Sequence, residues 1–300
     1  MKIEKITVDI SKKQASVLLG NGICRCIGMD SCDGIIEDIR KENNPSADPE
    51  VMNTLLFPQK IVVATNDHVD DNLKRLTKDM VNILYQDDDI KFLRQLLSAS
   101  PDVILTANYS TELETAAFGK FSSYTYNNNV AKPFDLRSTA EKLGLNNFIP
   151  LQIQGKRKLL WHIHGNAMRS TSVVMGHYYY GKLLREIEEY VPNLIRRYQL
   201  AKKSEDKSLQ IKSWVDYFLI SDIHIIGFSM DPAEMDLWWL LCCKKRNFPD
   251  TKVFFYEPNA KSINGTGKEL LLKAYGVEIV TKKGFKGDYK KFYLDSICNI

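Results

Sequence analysis

Short apolar runs that alternate with longer amphipathic segments most constrain how this chain of 300 residues can fold. The runs that are short and apolar enough for buried strands span residues 15–19, 60–65, 102–106, 159–163, 222–226, 251–256 and 277–280. The segments between them repeat apolar residues at helical spacing, most clearly over 178–201. Strands that alternate with helices predict an α/β fold with a doubly wound, Rossmann-like and mostly parallel sheet.

The same patterns predict the domain organisation. We expect a single domain over residues 1–300, whose Rossmann-like core comprises 14–177 and 219–284. A long helix followed by a second helix that carries Ile211 predicts a helical insertion or second lobe over 178–218.

Three further segments have predicted structures. Residues 70–85 have the apolar spacing of a helix, and residues 172–175 predict a short edge strand. The Asn run and the Pro within residues 124–147 indicate an irregular insertion.

Composition excludes several function classes. The 41 Lys and Arg residues nearly balance the 37 Asp and Glu residues, which argues against a strongly electrostatic nucleic-acid binder. No apolar run approaches the ~18 residues of a membrane span, and residues 1–8 lack a signal-peptide core. The six cysteines include no CxxC pair, so we expect no zinc site. We expect a cytoplasmic protein without a bound metal.

Polar residues and glycines follow five of the expected strands. They are Gly20, Asn108, His164, Ser229 and Glu257. Ligands of open parallel sheets bind outside the carboxyl ends of the strands. Although polar residues punctuate any strand end, five together predict a shared pocket.

The loop after residues 15–19 contains Gly20, Gly22 and Gly28. A glycine-rich loop after a buried strand allows the backbone to approach a pyrophosphate. A tight turn without a ligand is the alternative interpretation.

Two histidines end the expected strand at 159–163. His162 and His164 are two residues apart, so an extended strand would direct both to the same face. Spacing alone does not choose between them, whereas the glycine that follows His164 favours that residue. No further Asp, His or Cys cluster lies nearby in sequence, which argues against a metal site.

Four motifs resemble those of sirtuins, in the same order along the chain. Gly20-Asn-Gly-Ile-Cys-x3-Gly28-Met is similar to Gly-Ala-Gly-Ile-Ser-x3-Gly-Ile, with Asn21 in place of the alanine and Cys24 in place of the serine. Thr106-Ala-Asn-Tyr109 resembles Thr-Thr-Asn-Tyr, and His164-Gly165 resembles the His-Gly element. Gly227-Phe-Ser229 is similar to the later Gly-Thr/Tyr-Ser turn.

The closest variant is the sirtuin-like group of bacterial antiphage systems, whose pattern Thr-Asn-Tyr-x4-Glu has Glu114 at its acidic position. Gly20-Asn-Gly22 and Trp161-His-Ile-His-Gly165 also resemble the abortive-infection H (AbiH) family. The zinc-ribbon cysteines of protein deacylases are absent after His164-Gly165, which argues against deacylation.

This resemblance implies an NAD+ hydrolase that releases nicotinamide and ADP-ribose in antiphage defence. It implies that NAD is the substrate and that Asn108 and His164 are catalytic. It further implies that the substrate is bound by Gly20, Asn21, Gly22, Cys24, Tyr109, Gly227, Ser229 and Glu257. The expected partner is a second copy of the chain or a separately encoded defence protein. A catalytically silent module that binds NAD or ADP-ribose, or an AbiH-type defence protein, is the alternative.

Overall fold

The computed structural model describes residues 5–29, 32–69, 72, 83, 85–119, 134–135 and 145–300. Its strands are β1 (Ile6–Asp9), β2 (Ala15–Leu19), β3 (Val103–Thr106), β4 (Phe134–Asp135), β5 (Asn147–Ile153), β6 (Lys156–His162), β7 (Ser208–Ile211), β8 (Asp222–Ile226), β9 (Val253–Glu257) and β10 (Val277–Thr281). Within these residues, eight strands form one sheet in the order β10-β9-β8-β2-β3-β6-β5-β4. The strands from β10 to β6 are parallel, β5 and β4 are antiparallel to their neighbours, and β1 pairs with β7 separately.

Helices make up much of the rest of the described chain. They are α1 (Asn21–Cys26), α2 (Cys32–Asn43), α3 (Pro49–Met52), α4 (Phe57–Ala64), α5 (Asp87–Ala99), α6 (Glu112–Phe118), α7 (His177–Lys203), α8 (Trp214–Ile220), α9 (Met235–Asn247), α10 (Ala260–Ile263), α11 (Gly267–Ala274) and α12 (Tyr289–Ile297). Because side chains alternate along a strand, Leu18 of β2 joins one apolar cluster with α7, α8 and α9. Val17 and Leu19 join a second cluster with α5, α6 and α12. The mostly parallel sheet with its helices confirms the predicted α/β class.

The carboxyl ends of the parallel strands are aligned in register. Leu19 lies opposite Thr106 on one side and Ile226 on the other. Thr106 in turn lies opposite His162, and Ile226 lies opposite Tyr256. The chain therefore leaves five neighbouring strands at the same level, which brings the residues that follow them to one edge of the sheet.

The predicted strand at 60–65 is wrong, because these residues belong mainly to helix α4. Pro58 lies in the first turn, and the Gln59 side chain accepts a hydrogen bond from the Leu56 N–H at 3.0 Å, which stabilises the start of a helix. Ile61 then packs with α2 residues such as Ile39 in a third apolar cluster. A short apolar run has no periodicity that separates a buried strand from a buried helix.

Two further local predictions are wrong. Residues 172–175 are not a strand: a 3₁₀ turn covers Ser170–Ser172, and the Val174 N–H donates to the His164 carbonyl at 2.8 Å. Ile211 lies in β7, not in the helix that follows it.

Residues 178–218 contribute to the same apolar cluster as the sheet. Leu183 and Ile187 of α7 share this cluster with Leu105 of β3. The domain boundaries themselves stay predictions.

Of the helix expected over 70–85, only residues 72, 83 and 85 are described, and most of the expected irregular segment at 124–147 lies outside the described residues. No helix in the described ranges has both the length and the apolar character that a membrane span requires.

Candidate functional site

A cavity of about 1100 Å³ lies at the carboxyl edge of the parallel strands. The predicted site residues in its wall are Asn21, Gly22, Asn108, Tyr109, His164, Gly227, Ser229 and Glu257. Gly20 and Cys24 are not in the wall, and Cys24 is buried behind it. The structure therefore brings together residues that follow five different strands.

Gly20 and Gly22 are required by a close approach of two backbone segments. A Cβ atom at Gly20 would lie 2.5 Å from the Phe228 Cα, and one at Gly22 would lie 2.7 Å from the Gly227 carbonyl oxygen. The N–H groups of Gly20 and Gly22 donate to Ile226 at 3.0 Å and to Gly227 at 2.6 Å. Because these donors are already used, Gly20 and Gly22 do not offer their N–H groups to a phosphate.

Other groups of the same loop face the cavity. Asn21 and Arg25 of α1 both contribute to its wall, and Arg25 is exposed. The Arg25 guanidinium makes no hydrogen bond or ion pair with a described residue. A guanidinium binds phosphate oxygens in bidentate fashion. Arg25 is therefore the group of this loop best suited to an anionic ligand.

Asn108 is held by a buried polar network. Its Nδ2 donates to Glu112 Oε1 at 2.9 Å and to Cys24 Sγ at 3.0 Å, with Gly20 O at 3.4 Å. Glu112 is fully buried and also accepts from the Ser110 hydroxyl at 2.7 Å. Burial raises the pKa of Glu112, against the hydrogen bonds from Ser110 and Asn108.

His162 lies behind Asn108. Its Nδ1 is 2.7 Å from the Asn108 carbonyl oxygen, and its Nε2 is 2.8 Å from Glu114 Oε1. Asn166 donates to the same carboxylate oxygen at 3.0 Å. Burial works against protonation of His162, but the Glu114 carboxylate outweighs it and raises the pKa of this histidine.

His164 forms a separate cluster with two carboxylates. Its Nε2 is 2.9 Å from Asp236 Oδ2 and 3.8 Å from Glu234 Oε2, and the Tyr180 ring packs edge-on at 5.4 Å. Burial opposes protonation of His164, but Asp236 and then Glu234 raise its pKa overall. Burial raises the pKa of Glu234 to about 7. β6 ends at His162, so the alternation that predicts a common face does not extend to His164, and the two rings have different partners.

Two carboxylate oxygens of the His164 cluster, Glu234 Oε2 and Asp236 Oδ1, have no hydrogen-bond partner among the described residues. One ligand atom from each of His164, Glu234 and Asp236 lies within 4.8 Å of the others, a spacing that a metal ion could bridge. Sequence reasoning missed this cluster because 72 residues separate His164 from Asp236. The expectation of no metal stays a prediction.

The remaining predicted residues differ in their roles. The Tyr109 hydroxyl donates to the Val174 carbonyl at 2.8 Å, so Tyr109 ties two loops together in the cavity wall. Ser229 is exposed, and Glu257 accepts from the Asn259 N–H at 3.1 Å.

Sequence reasoning also missed Glu112. It lies four residues after Asn108, a helical spacing that could have indicated contact between the two side chains.

No protein-family model matches the chain, and none of the curated proteins matches it.

Proposed function

We propose that this chain is an NAD+ glycohydrolase built on a doubly wound, Rossmann-like sheet. The observation that carries the proposal is that Asn108 and His164, each in contact with a buried carboxylate, line the same cavity at the carboxyl edge of the sheet. Open α/β sheets bind nucleotides at this edge. The volume of about 1100 Å³ is large enough for a dinucleotide.

The proposed reaction needs few groups. Nicotinamide leaves NAD+ as a neutral molecule when the ribose C1′–N bond breaks, so no general acid is required on the leaving group. Water forms the new C1′–O bond, and the products are nicotinamide, ADP-ribose and one proton. The protein orients the ribose, stabilises an oxocarbenium-like transition state and accepts the proton.

His164 and Asn108 have complementary roles in this proposal. The Nε2 of His164 faces Asp236, so its Nδ1 is the nitrogen that would accept a proton from water or from a ribose hydroxyl. Asn108 would orient the same hydroxyl or water through its side-chain amide. Arg25 would bind the pyrophosphate, and Glu257 would accept hydrogen bonds from the adenosine ribose.

A defence role is the second part of the proposal, and it rests on the resemblance to sirtuin-like antiphage domains. An uncontrolled NAD+ hydrolase would be toxic to its own cell. We therefore propose control by self-assembly or by a separately encoded partner.

Release of nicotinamide from NAD+ by the purified chain, alone and with the product of its genomic neighbour, tests the proposal. We expect Asn108→Ala and His164→Ala each to reduce the rate about 100-fold or more. Asn247→Ala and His177→Ala, at exposed positions outside the cavity wall, are the matched controls. Full activity in both cavity variants would overturn the residue assignments.

Binding of NAD+ without turnover, even in the presence of the partner, would instead favour a nucleotide-sensing module. Activity on an acetylated peptide would favour a deacylase.

A further inference from the structure

The orientation of the Asn108 side chain is determined by its neighbours. All three atoms around Nδ2 are acceptors: Glu112 Oε1 at 2.9 Å, Cys24 Sγ at 3.0 Å and Gly20 O at 3.4 Å. Turning the amide over would place Oδ1 against the Gly20 carbonyl oxygen, which cannot donate, and against Glu112 Oε1, which already accepts from the Cys24 thiol at 3.3 Å. Only one orientation is therefore compatible with this network.

The opposite side of the amide is free. Asn108 Oδ1 accepts no hydrogen bond from a described residue. It is also not one of the solvent-inaccessible side-chain oxygens that lack a partner, so it retains some exposure. Asn108 itself lines the cavity. The carbonyl oxygen is thus the part of the amide that a ligand can reach.

Glu112 is well placed to maintain this arrangement. It lies at the start of α6, and its side chain is fully buried. The Ser110 hydroxyl holds its second oxygen at 2.7 Å, and the Cys24 thiol lies 3.3 Å from its first oxygen. With both oxygens held from a helix, the carboxylate has little freedom to move.

We infer that Glu112 is a positioning residue that fixes Asn108 as a hydrogen-bond acceptor, so that this part of the cavity binds a donor, either a ligand hydroxyl or a water molecule. The identity of the donor rests on the proposed function, in which it is a hydroxyl of the nicotinamide ribose or the attacking water. An acceptor at this position disfavours phosphate oxygens and the carbonyl of a carboxamide, because these groups also only accept.

Exchanging the two functional groups tests this inference. Asn108→Asp places two carboxylates in contact, which forces a proton onto one of them, and we expect about 100-fold slower nicotinamide release. In the double variant Asn108→Asp/Glu112→Gln, the Gln amide can donate to the new carboxylate. The other Asp oxygen then faces the cavity as an acceptor, and we expect the double variant to be at least about tenfold faster than Asn108→Asp alone.

Kinetics then identify the donor. A rise in KM with Asn108→Asp, reversed in the double variant, indicates a ligand hydroxyl, whereas an effect on kcat alone indicates water. Asp216→Asn is the matched control, because Asp216 is also fully buried and accepts hydrogen bonds, from Tyr190 and Arg197, but does not line the cavity. It should change thermal stability without changing KM.

Thermal unfolding provides a readout that does not depend on NAD+. Asn108→Asp should lower the melting temperature, and the second substitution should restore part of the loss. If the unfolding data show this recovery but the unmodified chain does not release nicotinamide, the proposed function fails and the inference stands. A double variant that recovers neither stability nor rate, in a chain whose unmodified form hydrolyses NAD+, would overturn the inference alone.

Discussion

His164 Nε2 and Asp236 Oδ2 lie 2.9 Å apart, although 72 residues separate them in the chain. Both side chains are buried, and His164 belongs to the cavity wall whereas Asp236 lies behind it. When the ring is neutral, a carboxylate in this position holds the single proton on the nitrogen that faces it and leaves the other nitrogen unprotonated. In the proposed reaction, the neutral His164 ring would therefore act as a base whose orientation Asp236 fixes.

Replacement of Asp236 should change the pH dependence of the reaction. Asp236 raises the pKa of His164, so the rate of the unmodified chain should rise with pH as this histidine loses its proton. In Asp236→Asn the pKa of His164 is lower, because the attracting charge is gone. The rise in rate should therefore shift to lower pH, and kcat should fall about 10- to 100-fold.

The control for this shift is Glu114→Gln, which changes the partner of His162 and not that of His164. It should not change the pH at which the rate rises. A rise at the same pH in Asp236→Asn as in the unmodified chain would contradict the assigned role of Asp236.

Arg25 should contribute to substrate binding more than to the chemical step. Its exposed guanidinium lines the cavity, and it has no ion-pair partner among the described residues. We expect Arg25→Ala to raise KM for NAD+ about tenfold with little change in kcat, and we expect added salt to reduce the difference. Arg246→Ala, an exposed arginine outside the cavity wall, is the control. A KM equal to that of the control would remove Arg25 from the binding site.

The convergence of the candidate residues on one cavity could be predicted from the sequence, whereas the contacts among their side chains could not. Asn108, His164 and Glu257 each follow an apolar run, and strand ends of a parallel sheet converge on one edge. The contact between His164 and Asp236 depends on the position of α9 relative to the end of β6, and residue spacing within one segment does not predict that position. The glycine loop is predicted to contact a ligand, whereas the N–H groups of Gly20 and Gly22 donate to Ile226 and Gly227 and both glycines allow the close approach of that segment.

Lys244 should be important for stability, because its buried ammonium group stabilises the end of α8. Its Nζ donates to the carbonyl oxygens of Phe218 and Leu219 at 3.0 Å and to that of Ser221 at 2.5 Å. Lys244→Met leaves these acceptors without a donor and should lower the free energy of unfolding by about 2–4 kcal/mol in urea titrations. Lys245→Met, which removes an exposed lysine, should cost less than about 1 kcal/mol. Equal losses in the two variants would contradict this role.

His224 should make the fold sensitive to acid. It is buried in β8, its ring stacks on Phe254 at 4.7 Å, and its Nδ1 lies 2.9 Å from the Tyr256 hydroxyl. Burial lowers the pKa of His224 from 6.5 to about 4. Below pH 6.5 the unfolded chain therefore takes up a proton that the folded chain does not bind until about pH 4. The contribution of His224 to the free energy of unfolding is therefore complete above pH 6.5 and is lost as the pH falls from 6.5 to about 4.

Urea unfolding of the unmodified chain and of His224→Gln at pH 7.5 and pH 4.5 measures this effect. Other buried groups also titrate between these pH values. The test is therefore the difference between the variants in the change of the free energy of unfolding. Between the two pH values, we expect the free energy of unfolding of the unmodified chain to fall by about 1–3 kcal/mol more than that of His224→Gln, because the variant has no imidazole to protonate. His177→Gln, at an exposed histidine, should lose as much as the unmodified chain. An equal loss in His224→Gln and the unmodified chain would show that the His224 ring is protonated in the folded protein as readily as in the unfolded one.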